Sequence, residues 1–181
     1  MALKATVFKA ELQVSDLDRH HYQTYSLTLA RHPSETDERM MVRLLAFALF
    51  AAEDLAFGRG LSSEDEPALA ERDLTGAIRR WIDVGLPDER DLRRACGRAD
   101  EVVVLSYGGR AAEIWWQQNE GKLKALDKLA VLGLDAEDSA ALAALAGRTM
   151  RLQCTIQDGR VYLADEATTL EFEPKWLKRA R

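Results

Sequence analysis

Three carboxylates of this chain could share one divalent cation: Glu53, Glu66 and Asp83. A few carboxylate oxygens, with water in the remaining positions, suit Mg2+ or Mn2+, and such an ion can activate water and steady a phosphate leaving group. Asp83 leads the set. In the stretch from Gly76 to Pro87, Arg79, Trp81 and Asp83 alternate with Ile78, Ile82 and Val84, the two faces of a strand. Gly85-Leu86-Pro87-Asp88-Glu89 then reads as a tight exit into a short helix with acids in its first turn. An acid at the carboxyl end of such a strand lies where open α/β sheets keep their ligand crevices, and the nearby helix start favours an anion such as phosphate.

The partners of Asp83 follow from geometry. Thr75-Gly76 is the natural turn of a hairpin, so Asp73 sits at its tip, roughly 20 Å from Asp83 at about 3.3 Å per residue. Asp73 is therefore a turn residue. Glu66 to Ala68 face Asp83 across the pair instead, with Asp65 as second choice. Glu53 has Leu49, Phe50, Ala56 and Phe57 one turn away on a predicted helix, so its charge needs a partner, a proton or a metal. The alternative is that Glu53 marks the helix end at solvent. Acids on adjoining strands also serve as plain salt-bridge partners, and Arg79, Arg80, Arg90 and Arg94 are at hand.

These residues need elements to hold them. Ala5 to Val14 and Tyr22 to Ala30 alternate as an opening hairpin. Pro33-Ser34-Glu35-Thr36-Asp37-Glu38 is a helix start, and the wide apolar face that follows predicts a helix running to Gly58, buried on more than one side. Ala68 to Leu74 and Ala77 to Val84 form the central hairpin. A short helix then ends near Gly97, and Val102 to Tyr107 reads as a strand covered on both faces. Strand, helix and strand predict a right-handed crossover. Arg110 to Asn119 is predicted helical with Gly121 interrupting it, Lys128 to Leu134 a strand, and Ala136 to Ala146 a helix capped by Asp135. Arg148 to Ile156, Arg160 to Leu163 and Thr168 to Phe172 close the chain as a hairpin, turning at Asp158-Gly159, and a third strand.

The 181 residues, 47% of them apolar, suit one domain spanning 1–181. A formal net charge of −5 argues against a broad nucleic-acid or membrane footprint, leaving only local basic patches. The apolar run from Leu44 to Ala52 is too short to span a bilayer. Cys96 and Cys154 sit singly without metal-type spacing, and no secretory leader is evident, so a cytoplasmic protein with free thiols is expected.

Gly60-Leu61-Ser62, Asp65-Glu66-Pro67, Trp81-Ile82-Asp83-Val84-Gly85 with Pro87, Tyr107-Gly108 and Trp115-Trp116 together resemble the YaeQ family of bacterial proteins over nearly the whole chain. The resemblance implies a mixed α/β fold: a compact restriction-endonuclease-like core of the PD-(D/E)XK type, about 34–120, with a mixed sheet and flanking helices. The N-terminal hairpin and C-terminal strands would complete it. In that core a helical acid, a strand acid and an acid-x-lysine motif hold one or two divalent metals. Carried over, Glu53 matches the helical acid, Glu66 the first strand acid and Asp83 the second. Gly85 stands where the lysine belongs, which leaves Arg93 or Arg94 on the following helix to supply the missing cation.

Three functions compete. The first is a Mg2+- or Mn2+-dependent phosphodiesterase of nuclease type, with Asp83, Glu66 and Arg94 as its catalytic group and Glu53, Glu66 and Asp83 on the metal. The second is a catalytically silent scaffold that binds or regulates, with a protein partner or nucleic acid as its target. The third makes the acids purely structural. Elsewhere, adjacent strand residues such as His20-His21 cannot easily ligate one ion, and Cys96 reads as a structural thiol. Trp115 and Trp116 diverge by about 100° on a helix, one to the core and one outward, and the tail from Lys175 to Arg181 reads as a solvated basic terminus.

Overall fold

The computed structural model describes residues 4–58 and 65–181. The chain opens with β1 (Thr6–Asp16), β2 (His21–Arg31) and α1 (Asp37–Leu49). A meander follows, made of β3 (Leu55–Phe57), β4 (Leu69–Arg72) and β5 (Ile78–Val84). Then come α2 (Glu89–Cys96), β6 (Ala99–Ser106), α3 (Arg110–Leu123), β7 (Leu129–Gly133) and α4 (Ala136–Ala144). The chain closes with β8 (Thr149–Gln157), β9 (Arg160–Ala164), β10 (Thr169–Phe172) and β11 (Lys175–Lys178).

The strands form two mixed sheets, ordered β10-β9-β8-β1-β2 and β11-β7-β6-β5-β4-β3. In the first, the alternation of β1 places Phe8, Ala10, Leu12 and Val14 inward. Its antiparallel hairpin with β2 runs without a register shift from Thr6 opposite Arg31 to Asp16 opposite His21. Its other neighbour, β8, is parallel and comes from the far end of the chain. The β8–β9 hairpin turns where expected, with Asp158 at φ 52 and Gly159 at φ 76, both in the left-handed conformation that tight hairpins need.

The second sheet positions the site. Antiparallel β3, β4 and β5 lead into parallel β5, β6 and β7. One face carries Ile82, Val84, Val103 and Leu105, which share a core with β1, α1 and α4. The other carries Trp81, Val102 and Val104 against Leu92 of α2 and Trp115 and Leu123 of α3. Helix α1 is thus enclosed by both sheets, and Met40, Met41, Leu44 and Leu45 are fully buried. Each contributes roughly 1.5–3 kcal/mol of transfer free energy.

Three expectations need correction. The first helix stops at Leu49, not Gly58, and its cap, Phe50, has left helical geometry at φ −120. The apolar residues beyond it pair as β3 instead, because a short apolar run satisfies an edge strand as well as a helix. Gly121 does not interrupt α3, which continues to Leu123, since one glycine costs a helix only about 1 kcal/mol. The basic tail is not a solvated terminus: it forms β11 on the edge of β7, and the Lys178 ammonium donates to the carbonyls of Leu126 (2.8 Å) and Leu129 (2.7 Å). Among the described residues no helix is long and apolar enough to cross a membrane.

Candidate functional site at the carboxyl end of β5

Pairing of Leu69 with Ile82 sets Ala68 opposite Asp83, as the hairpin geometry predicts. The Ala68 amide donates to Asp83 Oδ1 at 3.3 Å, and the Trp81 indole, two residues back on the same face, donates to Oδ2 at 3.0 Å. Burial raises the proton affinity of Asp83 above the ordinary carboxylate range; those two hydrogen bonds and the Arg39 charge oppose it, while Asp91 adds to it. The result is a carboxyl group held by two fixed donors in a poorly solvated place.

Beside it the chain turns through Gly85, at φ +100, whose amide donates to the Leu105 carbonyl at 3.0 Å. An L side chain is strained in that conformation, which accounts for glycine where the resemblance would put a lysine. The space its Cβ would enter faces the Tyr107 ring at 4.0 Å. Burial pushes the Tyr107 hydroxyl upward; Arg39 opposes this, and Glu38 and Glu35 reinforce it. The first turn of α1 therefore lies at the same edge of the sheet as Asp83 and Tyr107.

That turn is anchored by a buried ion cluster. Glu35 accepts two bonds from Arg43, at 2.6 and 2.9 Å, and pairs with Arg39. Arg43, with no exposed surface, also donates to the Ala30 carbonyl of β2 at 3.1 Å. Glu38 reaches toward α4, where the Ser139 hydroxyl lies 3.4 Å from its Oε2.

The sequence-predicted set is only partly assembled. Glu53 is not on a helix: it lies exposed in the turn after α1, at the helix end opposite the turn that faces Tyr107. Helix α1 starts near Tyr107 and runs away from it, so Glu53, beyond its C-terminus, follows the end of α1 farther from Tyr107. Glu66 stands half-buried two residues before Ala68, whose amide bonds Asp83, but forms no ion pair among the described residues. Among those residues no three of His, Cys, Asp and Glu come together as a group that could hold a metal ion.

Arg94 is drawn to Asp65 (3.8 Å), and the arginine acting on Asp83 is Arg39, which sequence reasoning missed. Its signal was present, since the capped helix start at Pro33 to Glu38 places Arg39 in the first turn. Asp83 forms no ion pair with Arg79, Arg90 or Arg94; its fixed partners are Trp81 and Ala68. Asp73 is a turn residue as expected, its Oδ1 accepting from the Thr75 amide, the Thr75 hydroxyl and the Ala77 amide. The Gly60-Leu61-Ser62 part of the resemblance lies outside the described residues.

The remaining candidates resolve simply. His21 bonds the Tyr25 hydroxyl at 2.7 Å, while His20 lies in the turn at φ 56. Trp115 is buried and donates to the Pro87 carbonyl at 2.8 Å, and Trp116 is half-exposed. Burial holds both thiols protonated, pushing Cys154 up to about 12.

Two mixed sheets enclosing α1, with a desolvated acid and a tyrosine at one sheet edge, define the class: a mixed α+β protein whose candidate site lies at the carboxyl end of a parallel strand. The chain belongs to the YaeQ family, whose model, described as YaeQ protein, matches residues 1–174. It is 53% identical over 171 residues to "Uncharacterized protein YaeQ" of Escherichia coli (strain K12), covering 94% of each chain. The protein of that same description from Salmonella typhi is 51% identical over 173 residues, 96% of each. Among solved structures, the YaeQ protein from Xanthomonas axonopodis pv. citri superposes with a TM-score of 0.94 at 51% identity, covering 98% of this chain and 99% of that one. The YaeQ protein from Pseudomonas syringae gives 0.92 at 38% identity, with 97% of each chain covered.

Proposed function

We propose that this chain is a binding or regulatory module that keeps a nuclease-like scaffold and uses the sheet edge around Asp83 to seat a phosphodiester without cutting it. One observation carries this reading. Both carboxyl oxygens of Asp83 are held by protein donors while Glu53, the intended third acid, stands at the far end of α1. Four arginines lie alongside: Arg90, Arg93 and Arg94 on α2, with Arg98 just beyond, are all exposed, with Arg93 paired to Glu89 and Arg94 to Asp65. Such a patch supports weak, salt-sensitive contact with nucleic acid despite the negative net charge.

The test is fluorescence anisotropy with short labelled single-stranded DNA and RNA, at low and high salt, with and without Mn2+. Intact oligomer bound without metal and released by salt is the expected result. Absence of binding at low salt would defeat the proposal.

A metal-dependent phosphodiesterase is the second reading, favoured by element order. An acidic helix start, a three-strand meander, a helix and a parallel strand follow one another as in the nuclease core, and α1 brings Glu38 to the Tyr107 edge. Metal-dependent cleavage of DNA or RNA, abolished in Asp83→Ala, would establish it over the first.

A further inference from the structure

We infer that the cavity between the carboxyl ends of β6 and β7 is a separate site for a nucleoside monophosphate. Its support comes from another part of the sheet and is independent of what Asp83 does.

Strands β6 and β7 are parallel neighbours, yet the helices that follow them leave to opposite faces. Helix α3 packs with Trp81, Val102 and Val104, whereas Leu142 of α4 joins the core on the α1 side. Divergence of this kind opens a crevice at the strand ends. Here it forms a cavity of about 500 Å³, lined among others by Ser106, Arg110, Trp116, Asp135 and Lys175. That volume falls in the usual range for a small ligand, roughly 300–1,000 Å³.

The Ser106 hydroxyl donates to the Leu132 carbonyl at 3.1 Å, but the charged lining groups are unspent. The side chains of Arg110 and Lys175 form no hydrogen bond or ion pair among the described residues, although Lys175 lies within the field of Asp138. Asp135 opens α4, but its carboxylate makes no capping bond, so its oxygens remain available as acceptors. Glu113 adds a second carboxylate to the lining. Trp116 presents a large half-exposed ring, tilted against Trp115 at 6.3 Å.

Two cations and two carboxylates in one cavity select among ligands. A bare anion gains from Arg110 and Lys175 but is repelled by Asp135 and Glu113. A ligand carrying an anion, hydroxyl donors and a flat ring satisfies all of them: phosphate on the cations, ribose hydroxyls donating to the carboxylates, and a base against Trp116.

The experiment is titration of the full chain with AMP, GMP, CMP and UMP, followed by tryptophan fluorescence and calorimetry, with adenosine and inorganic phosphate as probes of the parts. At least one monophosphate is expected to bind, with the nucleoside and phosphate alone at least about tenfold weaker. Arg110→Ala, an exposed position that leaves the fold alone, is expected to weaken it about tenfold, as is Trp116→Leu, with circular dichroism confirming each fold. Asp83→Ala is expected to bind normally. Failure of all four monophosphates to bind at millimolar concentration would overturn the inference. So would binding unmoved by both cavity variants, inorganic phosphate binding as tightly as a nucleotide, or equal loss in Asp83→Ala.

Discussion

The Trp81 indole donates its one hydrogen bond to Asp83 Oδ2 at 3.0 Å, so the strand that carries the acid also fixes its orientation. Residues two apart on a strand share a face, and here that spacing makes a large buried aromatic the immediate partner of a carboxyl group. The acid is thereby tied to the α2–α3 core, where Trp81 is 3% exposed.

Raised proton affinity in Asp83 gives a stability dependence of known sign. An acid whose folded value lies above its unfolded value favours the fold when protonated, so its contribution is greatest at low pH and declines as pH rises through the carboxylate range. In urea unfolding of wild type and Asp83→Asn from pH 3.5 to 8, the stability difference between them should move against wild type as pH rises. A flat difference would show that Asp83 is not perturbed.

Restoring the lysine should harm rather than help. At φ +100, Gly85→Lys is expected to cost about 1–3 kcal/mol of stability through backbone strain, read from chemical denaturation. Gain of metal-dependent cleavage without loss of stability would contradict the structural reason for glycine.

The pair of Glu35 and Arg43 should be among the most sensitive positions. Glu35→Ala leaves the fully buried Arg43 without its bidentate partner, a loss of about 3–5 kcal/mol. Thermal unfolding measures it, and because Arg39 loses its pairing with Glu35 as well, the start of α1 should loosen with it. A change under 1 kcal/mol, a rough floor for a surface pair, would show the cluster to be dispensable.

Glu53→Ala is the contrasting case. An exposed turn residue away from the Asp83 edge should change stability by no more than about 0.5 kcal/mol and leave any Mn2+ affinity untouched. Loss of metal binding in this variant would reinstate Glu53 as a ligand.

Local pattern carried much of the fold. Alternation in Thr6–Asp16 and His21–Arg31, the Asp158-Gly159 turn and the Asp73 tip are dictated by neighbours along the chain, and all are readable there. The strand ending in Asp83 was legible for the same reason, and so was the placement of Ala68 across from it. What escaped was long-range. Nothing near Glu53 shows that α1 points its N-terminus, not its C-terminus, at the Asp83 edge; that depends on how the helix lies between two sheets. The run from Phe50 to Phe57 reads as helix until β4 is there to pair with it. Lys175–Lys178 is a basic tail in isolation and becomes a strand only against β7. Arg39 was visible as a helix residue but had no visible reason to face an acid some forty positions downstream.

The parallel pairing of β1 with β8 sets a timetable for synthesis. Lys9 meets Thr149 at a separation of 140 positions (149 − 9). At about 5–20 residues per second the completed first hairpin precedes the completed β8 by roughly 6–25 s (157 − 31 = 126 residues). Through that interval the inward side chains of β1 are exposed without their lateral partner, so the nascent chain, rather than the finished protein, is the form most in need of a chaperone.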